Sequence, residues 1–188
     1  DVIDGSAADG LAGIAVTGFT IANSDYAVTN TTTLTLILTE SGSPDTNATP
    51  NVSFTNSGSI IENGVGAWVQ NLGATASTDG AGPAIVSAQT LTTQTVEITF
   101  SEAVSDASIV AGDFTFGLFS AGTGVGSSFD TGSTANDNVV VVTLSAVFGP
   151  DETGNVAFTG ASLVTDGTNG NTQTGAIAVT DGIAAGPL

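Results

Sequence analysis

The sequence predicts an all-β fold made of two tandem β-sandwich units. Short runs rich in β-branched and aromatic residues recur along the chain, and clusters of Gly, Asn, Asp and Ser separate them. No stretch of about 11 residues shows a helical period. A length of 188 residues allows one large domain or two ordinary ones, and internal repetition favours two.

The clearest strand patterns alternate apolar and polar residues. In Val96–Phe100 the apolar side chains alternate with Glu97 and Thr99, which is typical of a half-buried strand. Thr33–Thr39 alternates in the same way, and a helical turn is predicted at Ala103–Ala111. Further strands are predicted at Ile85–Ala88, Asp113–Phe116, Val139–Leu144 and Val156–Thr159.

Several segments repeat after about 100 residues, which is typical of a repeat array. Asn51–Thr55 (NVSFT) matches Asn155–Thr159 (NVAFT), and the TDG at Thr78–Gly80 matches the TDG at Thr180–Gly182. Upstream, AVTGFTI in the first copy matches VAGDFTF in the second, so that Phe19 corresponds to Phe114.

The repeat sets the predicted domain boundaries. We expect a first domain at residues 1–78, a second at residues 79–180, and the start of a further linker or joining strand at residues 181–188. The first copy has too few residues upstream to hold the two early strands that the second copy has, so we expect it to be incomplete at its N-terminus.

The charge of the chain is its strongest functional signal. There are 18 Asp and Glu residues and no Lys, Arg or His, which gives a formal net charge of −18. The chain therefore has no cations to bind nucleic acid, and an anionic membrane surface would repel it. The sequence contains no run of about 18 apolar residues, so it predicts no membrane-spanning segment. Because Ca²⁺ prefers carboxylate and carbonyl oxygen, we expect an extracellular cell-surface protein that takes its countercharge from calcium.

The same composition argues against catalysis. Without His, Cys or Lys, the usual nucleophiles and general bases are missing. No two acids stand out as a glycosidase pair. We expect no enzymatic activity.

One part of the chain resembles a known family. DGAGPAI at Asp79–Ile85, followed by TVEITFSEAVSDASIVAGDFTF at Thr95–Phe116, resembles the immunoglobulin-like repeats of prokaryotic S-layer proteins and large cell-surface adhesins. The second copy matches throughout, whereas the first copy matches only from about Ala15 and has Gly18 in place of Asp113. The resemblance implies two tandem immunoglobulin-like β-sandwich domains on a cell surface.

Three candidate calcium ligands follow a predicted strand end. Glu102, Asp106 and Asp113 fall within 12 residues, where side chains and loop carbonyls could converge on a cation. The alternative is that they are solvated acids in turns. Asp45, directly after Pro44, is expected to shape a turn.

Three more candidates lie at the domain junctions and in a late loop. Asp79 and Asp181 stand in linkers similar in layout to those of cadherins, although Asp-Gly before Pro is also ordinary turn chemistry. Asp166 opens a loop with Asn169 and Asn171 whose spacing departs from the EF-hand pattern, so a loop that needs positive φ angles explains it as well.

Two functions of different classes follow. The first is a structural subunit of a surface array or filament, an S-layer or fibre, stabilised by calcium and joined into a homopolymer by strand addition between the open first copy and residues 181–188. An excerpt of a longer repeat protein would explain the same ends. The second function is an adhesin or glycan-binding module, and N-linked glycans could be carried by the sequons at Asn30, Asn47 and Asn51.

Overall fold

The computed structural model describes residues 13–21, 26–30, 33–40, 42, 45–56, 69–117, 119, 124–161, 163–171 and 175–184. The chain forms two compact units, one of Asp1–Ser43 with Ala48–Thr78 and one of Pro44–Asn47 with Asp79–Leu188. The short segment Pro44–Asn47 thus belongs to the second unit, although its neighbours in sequence belong to the first.

The described residues form strands joined by turns and two short 3-10 helical turns. In the first unit the strands are β1 Ile14–Val16, β2 Phe19–Thr20, β3 Tyr26–Asn30, β4 Thr33–Leu36, β5 Thr39–Glu40, β6 Asn51–Phe54 and β7 Leu72–Ala76. In the second unit they are β8 Ile85–Thr92, β9 Thr95–Phe100, β10 Phe114–Gly117, β11 Gly124–Asp130, β12 Val139–Leu144, β13 Asn155–Phe158 and β14 Ile177–Thr180, with the helical turns at Asp106–Ser108 and Ala111–Asp113.

The strands of the second unit close into a barrel in the order β10-β11-β12-β9-β8-β14-β13. Strand β11 helps to close it by changing partner along its length. Val125 pairs with Thr115 of β10, whereas Phe129 pairs with Val142 of β12. The ladder of β11 is irregular just after Gly126, and such irregularities bend a strand, which is what the change of partner requires.

Strand β14 closes the other side of the barrel in the same way. Ile177 pairs with Val156 of β13 in antiparallel register, and Val179 pairs with Ala88 of β8 in parallel register. The remaining neighbours in the barrel are antiparallel.

The prediction of two tandem immunoglobulin-like β-sandwich domains is therefore wrong. A sandwich is built from two packed sheets, whereas the second unit is one closed barrel. Alternating apolar and polar residues report only that one face of a strand is buried, and this holds for a barrel as for a sandwich. The closing strand β11, with the sequence GVGSSFD, has little β-branched or aromatic content, so the sequence did not predict it.

The described strands of the first unit form three separate sheets, β1-β6-β7, β2-β5 and β3-β4. The order β1-β6-β7 matches β10-β13-β14 of the barrel. Phe54 pairs with Ile14 just as Phe158 pairs with Phe114, so the repeated NVSFT and NVAFT segments hold the same place in the two units. By this pairing Ile14 corresponds to Phe114, and the sequence alignment of Phe19 with Phe114 is wrong.

The core of the second unit lies inside the barrel. Val96, Ile98 and Phe100 of β9 are fully buried, and this confirms the alternation predicted for that strand. The rings of Phe100, Phe114 and Phe158 lie with centroids 5.9–6.2 Å apart. Such aromatic packing contributes beyond the area buried and holds β9, β10 and β13 together.

Most of the predicted elements are confirmed, with one break. The strand at Val139–Leu144 and a helical turn within Ala103–Ala111 are present. The predicted strand Thr33–Thr39 instead breaks after Leu36, and Ile37 there is 62% exposed. Within the described residues no helix is long and apolar enough to cross a membrane.

Candidate metal centre

Three of the predicted calcium ligands converge in the second unit. Asp79 lies before β8, Glu102 lies just after β9, and Asp166 lies in the loop between β13 and β14. Each offers a carboxylate oxygen, and these oxygens all lie within 4.8 Å of one another. We call Asp79, Glu102 and Asp166 the carboxylate cluster.

The end of β9 turns Glu102 inwards. The backbone N–H of Ser101 donates to the Ala84 carbonyl at 2.9 Å, and the Ser101 hydroxyl accepts a hydrogen bond from the Ala84 N–H at 3.0 Å. These bonds extend the pairing of β8 with β9 by one residue. The next side chain, Glu102, is only 5% exposed.

The two oxygens of Glu102 have different surroundings. Oε1 accepts a short hydrogen bond from the Thr46 hydroxyl, which also lies 2.6 Å from the Ser101 hydroxyl. Oε2 is buried and has no hydrogen-bond partner among the described residues. Buried polar atoms are nearly always paired, so Oε2 marks a place where a further group belongs.

Asp166 is held by its own loop. Its Oδ1 accepts the backbone N–H groups of Thr168 at 2.5 Å and Asn169 at 2.6 Å. The turn passes through Gly167, whose φ of +104° is a left-handed conformation that favours glycine. The hydrogen bonds of the loop thus fix the Asp166 carboxylate without help from an ion.

Asn169 links two members of the carboxylate cluster. Its Nδ2 donates to Asp166 Oδ2 at 3.0 Å and lies 3.4 Å from Asp79 Oδ2. Asp79 Oδ1 in turn accepts the Ala81 N–H at 3.0 Å, so that a local turn orients this carboxylate as well.

Asn171 supports the loop from inside. Its side chain is fully buried, and its Oδ1 accepts the N–H groups of Leu163 at 2.8 Å and Val164 at 3.0 Å. Its Nδ2 donates to the Gly160 carbonyl at 2.9 Å. These bonds hold the side chain among the backbone groups of the loop, so Asn171 shapes the loop that carries Asp166.

The pKa values of Glu102 and Asp166 are shifted in opposite directions. Burial raises the pKa of Glu102, and the nearby charges of Asp166, Asp79 and Asp45 raise it further against the lowering effect of the Thr46 hydrogen bond. Burial also acts to raise the pKa of Asp166, but the hydrogen bonds from Asn169 and Thr168 outweigh it, so that the pKa is lowered. Because the chain has no Lys, Arg or His, no positively charged side chain neutralises these carboxylates.

Two other predicted ligands bind backbone instead. Asp106 and Asn136 exchange a pair of hydrogen bonds, from the Asp106 N–H to Asn136 Oδ1 at 3.1 Å and from the Asn136 N–H to Asp106 Oδ1 at 3.2 Å. Asp113 Oδ2 accepts the Val110 N–H at 2.8 Å within its helical turn. Both carboxylates lie outside the cluster and stabilise turns.

Asp181 also lies outside the cluster. Its Oδ1 accepts the hydroxyl of the buried Thr90 at 3.2 Å and the Ile183 N–H at 2.8 Å. The sequence did not single out Thr46, because a threonine beside a predicted turn matches no metal-ligand pattern. Asp45 beside it forms the predicted turn, with its Oδ1 accepting the Asn47 N–H at 3.1 Å.

No protein-family model and no curated protein matches the chain. Among solved structures, the chain is similar to the S-layer protein rSbsC(31-844), with 17% sequence identity and a TM-score of 0.44. The match covers 52% of this chain and 13% of that one, so the chain spans about an eighth of the length of that S-layer protein. The likeness is a coarse one.

Proposed function

We propose that this chain is a structural module of an extracellular surface array or filament, and that calcium bound at the carboxylate cluster stabilises it. The observation that carries this proposal is the buried Glu102 carboxylate, whose Oε2 has no partner among the described residues. It lies beside two other carboxylates in a chain without basic side chains.

The repulsion among the three carboxylates favours a cation or a proton at this place. Two unit charges about 4 Å apart repel by roughly 4 kcal/mol at an effective dielectric constant of about 20. A hydrogen bond to a charged group, such as that from Thr46 to Glu102, contributes only about 1.5–3 kcal/mol. The hydroxyl of Thr46 therefore does not by itself offset the repulsion that Glu102 feels from Asp79 and Asp166, whereas a divalent cation among the three would.

The spacing of the oxygens suits calcium. Calcium binds oxygen at about 2.3–2.6 Å, so ligands on opposite sides of one ion lie about 5 Å apart. The oxygens of the cluster lie within 4.8 Å of one another, which meets this limit. Water and loop carbonyls would complete the six to eight oxygens that calcium takes.

The net charge connects the ion to assembly. Copies of a chain with a formal charge of −18 repel one another when they pack into an array. Calcium lowers this charge as well as filling the site. Extracellular calcium modules bind with Kd values of about 0.1–1 mM, so a site of that affinity would be filled where calcium is millimolar, as it is outside the cell.

A polar groove on the second unit favours a second candidate function, that of a glycan-binding adhesin module. Its amide, carboxylate and hydroxyl groups could hydrogen-bond a sugar. None of the residues along it is aromatic, so it offers no ring on which a sugar could stack. The groove is lined by Ser87, Ala88, Gln89, Glu97, Thr99 and Thr180.

Thermal unfolding with calcium and with EDTA tests the ion site. A ligand that binds only the folded state at a hundredfold excess over its Kd adds about 2.7 kcal/mol to stability. We expect calcium to raise the Tm of the wild-type protein and Glu102→Gln to lose most of this rise. Glu97→Gln is the matched control, because Glu97 accepts a hydrogen bond from Gln89 outside the cluster.

Two results would contradict a specific calcium site. An unchanged wild-type Tm in calcium at moderate salt would refute the site, and equal losses in Glu102→Gln and Glu97→Gln would indicate diffuse screening. Electron microscopy with and without calcium tests the array, since a structural module should assemble when calcium is added. A monomer that binds glycans in both conditions would support the adhesin function instead.

A further inference from the structure

We infer that Thr46 is a positioning residue of the calcium site, and that it couples ion binding to docking of the segment Pro44–Asn47 within the second unit. The inference rests on the proposed function. It adds a residue that is not a ligand and a segment whose docking the ion controls.

The first observation is the placement of this segment. Pro44–Asn47 belongs to the second compact unit, while the residues on either side of it in sequence belong to the first. Thr46 is half-buried between exposed neighbours Asp45 and Asn47. Among the described residues 45–47 of this segment, Thr46 is therefore the one whose side chain is directed inwards.

The second observation is a directional chain of hydrogen bonds that ends on Glu102. The Ala84 N–H donates to the Ser101 hydroxyl, which lies 2.6 Å from the Thr46 hydroxyl. Because Thr46 donates its proton to Glu102 Oε1, Ser101 is the donor to Thr46. Oε1 of Glu102 thus accepts the hydrogen bond from Thr46. Oε2 is the buried oxygen that has no hydrogen-bond partner among the described residues.

The third observation is the charge that the segment carries. Asp45 lies close enough to Glu102 for its charge to act on that carboxylate. Docking therefore brings a fourth negative charge towards the cluster, and the hydroxyl contacts of Thr46 act against this repulsion. A divalent cation bound by the three carboxylates weakens this repulsion, because it neutralises most of their charge. By linkage, the factor by which docking strengthens ion binding equals the factor by which the ion strengthens docking.

Two substitutions at Thr46 test the coupling. Thr46→Val keeps the shape and removes the hydroxyl, whereas Thr46→Ser keeps the hydroxyl and removes the methyl group. Titration calorimetry with CaCl₂ gives the affinity, and hydrogen exchange of a peptide covering residues 45–49, in calcium and in EDTA, gives the docking.

In the wild type and in Thr46→Ser, we expect calcium to slow exchange in this peptide by about tenfold, within the usual range of coupling factors. In Thr46→Val, we expect calcium to bind about tenfold more weakly and exchange in the peptide to be fast in both conditions. Exchange in strand β6 serves as the internal reference, because this strand belongs to the first unit and not to the unit that holds the carboxylate cluster.

The inference and the proposed function fail differently. If calcium binds the wild type and Thr46→Val equally well and exchange does not respond, the positioning role is refuted and the ion site stands. A Thr46→Val protein that is less stable by the same amount in calcium and in EDTA, with unchanged affinity, would likewise show a merely structural role. If CaCl₂ does not bind the wild type at all, the proposed site is refuted, and the positioning role with it.

Discussion

Gly82 lies directly against the backbone of Gly170, and a Cβ atom at Gly82 would clash with the Gly170 carbonyl oxygen. The contact joins the segment that follows Asp79 to the loop that carries Asp166. Two carboxylates that are far apart in sequence are thus brought together by a backbone approach that only glycine allows.

Replacing Gly82 with Ala should therefore separate the two segments. Overpacking of this kind typically costs about 1–3 kcal/mol, and we expect that loss in chemical denaturation in EDTA. Calcium affinity should fall as well, because Asp79 moves away from Asp166. Gly80→Ala is the matched control, since a Cβ atom at Gly80 meets nothing within 4 Å. Similar behaviour of the two variants would show that the close approach does not position the cluster.

The sequence could predict the class of fold but not its closure. The alternation in Val96–Phe100 and the apolar run Val139–Leu144 identify β9 and β12, which pair with each other in the barrel. Closure depends on β11, whose Gly and Ser residues give no strand signal, and on the change of partner between Ile177 and Val179 in β14. Both features are set by tertiary packing, which a local pattern does not report.

The candidate site could be predicted in part. Asp79, Glu102 and Asp166 were among six candidates, because acids that follow strands or sit in Gly-rich loops are the expected ligands. Nothing local separated them from Asp106 or Asp181, since all of them are acids in turns. Only the fold shows which carboxylates meet.

The stability of the calcium-free protein should depend on pH through the protonation of Glu102. Its pKa is raised from an ordinary value of 4.5, so protonation favours the folded state. The stability that it contributes is fully present below pH 4.5 and is lost as pH rises through the raised pKa. In EDTA, the unfolding free energy of the wild type should therefore rise relative to that of Glu102→Gln as pH falls from neutral towards 4.5.

The comparison with Glu102→Gln isolates this effect. The lowered pKa of Asp166 acts in the opposite direction, with stability lost as pH falls below its ordinary value of 3.8, and it is common to both proteins. Urea denaturation at a series of pH values measures the difference. If the difference in unfolding free energy between the two proteins did not change with pH, the pKa of Glu102 would not be raised in the folded state.

Replacement of Asn171 with Ala should destabilise the second unit whether or not calcium is present. The change removes the acceptor of two backbone N–H groups and the donor to Gly160. Each buried group left unsatisfied costs about 1–3 kcal/mol, so the loss should exceed that of an exposed asparagine. Asn138→Ala is the control, because Asn138 is exposed and its side chain donates to Phe100 at 3.3 Å. Equal losses in urea denaturation would contradict the structural role of Asn171.

Asp113→Asn and Asp166→Asn should separate an acid that shapes a turn from one that binds an ion. Asp113 is 8% exposed and accepts the Val110 N–H, a bond that an asparagine oxygen can also accept. Its substitution should therefore change the Tm by the same small amount in calcium and in EDTA. Asp166→Asn removes a charge from the carboxylate cluster, so it should abolish most of the calcium-dependent rise in Tm. It should also lower the Tm in EDTA, because hydrogen bonds stabilise the charged form of Asp166 in the folded state. If Asp113→Asn removed the calcium response and Asp166→Asn did not, the ion would bind at the helical turn before β10.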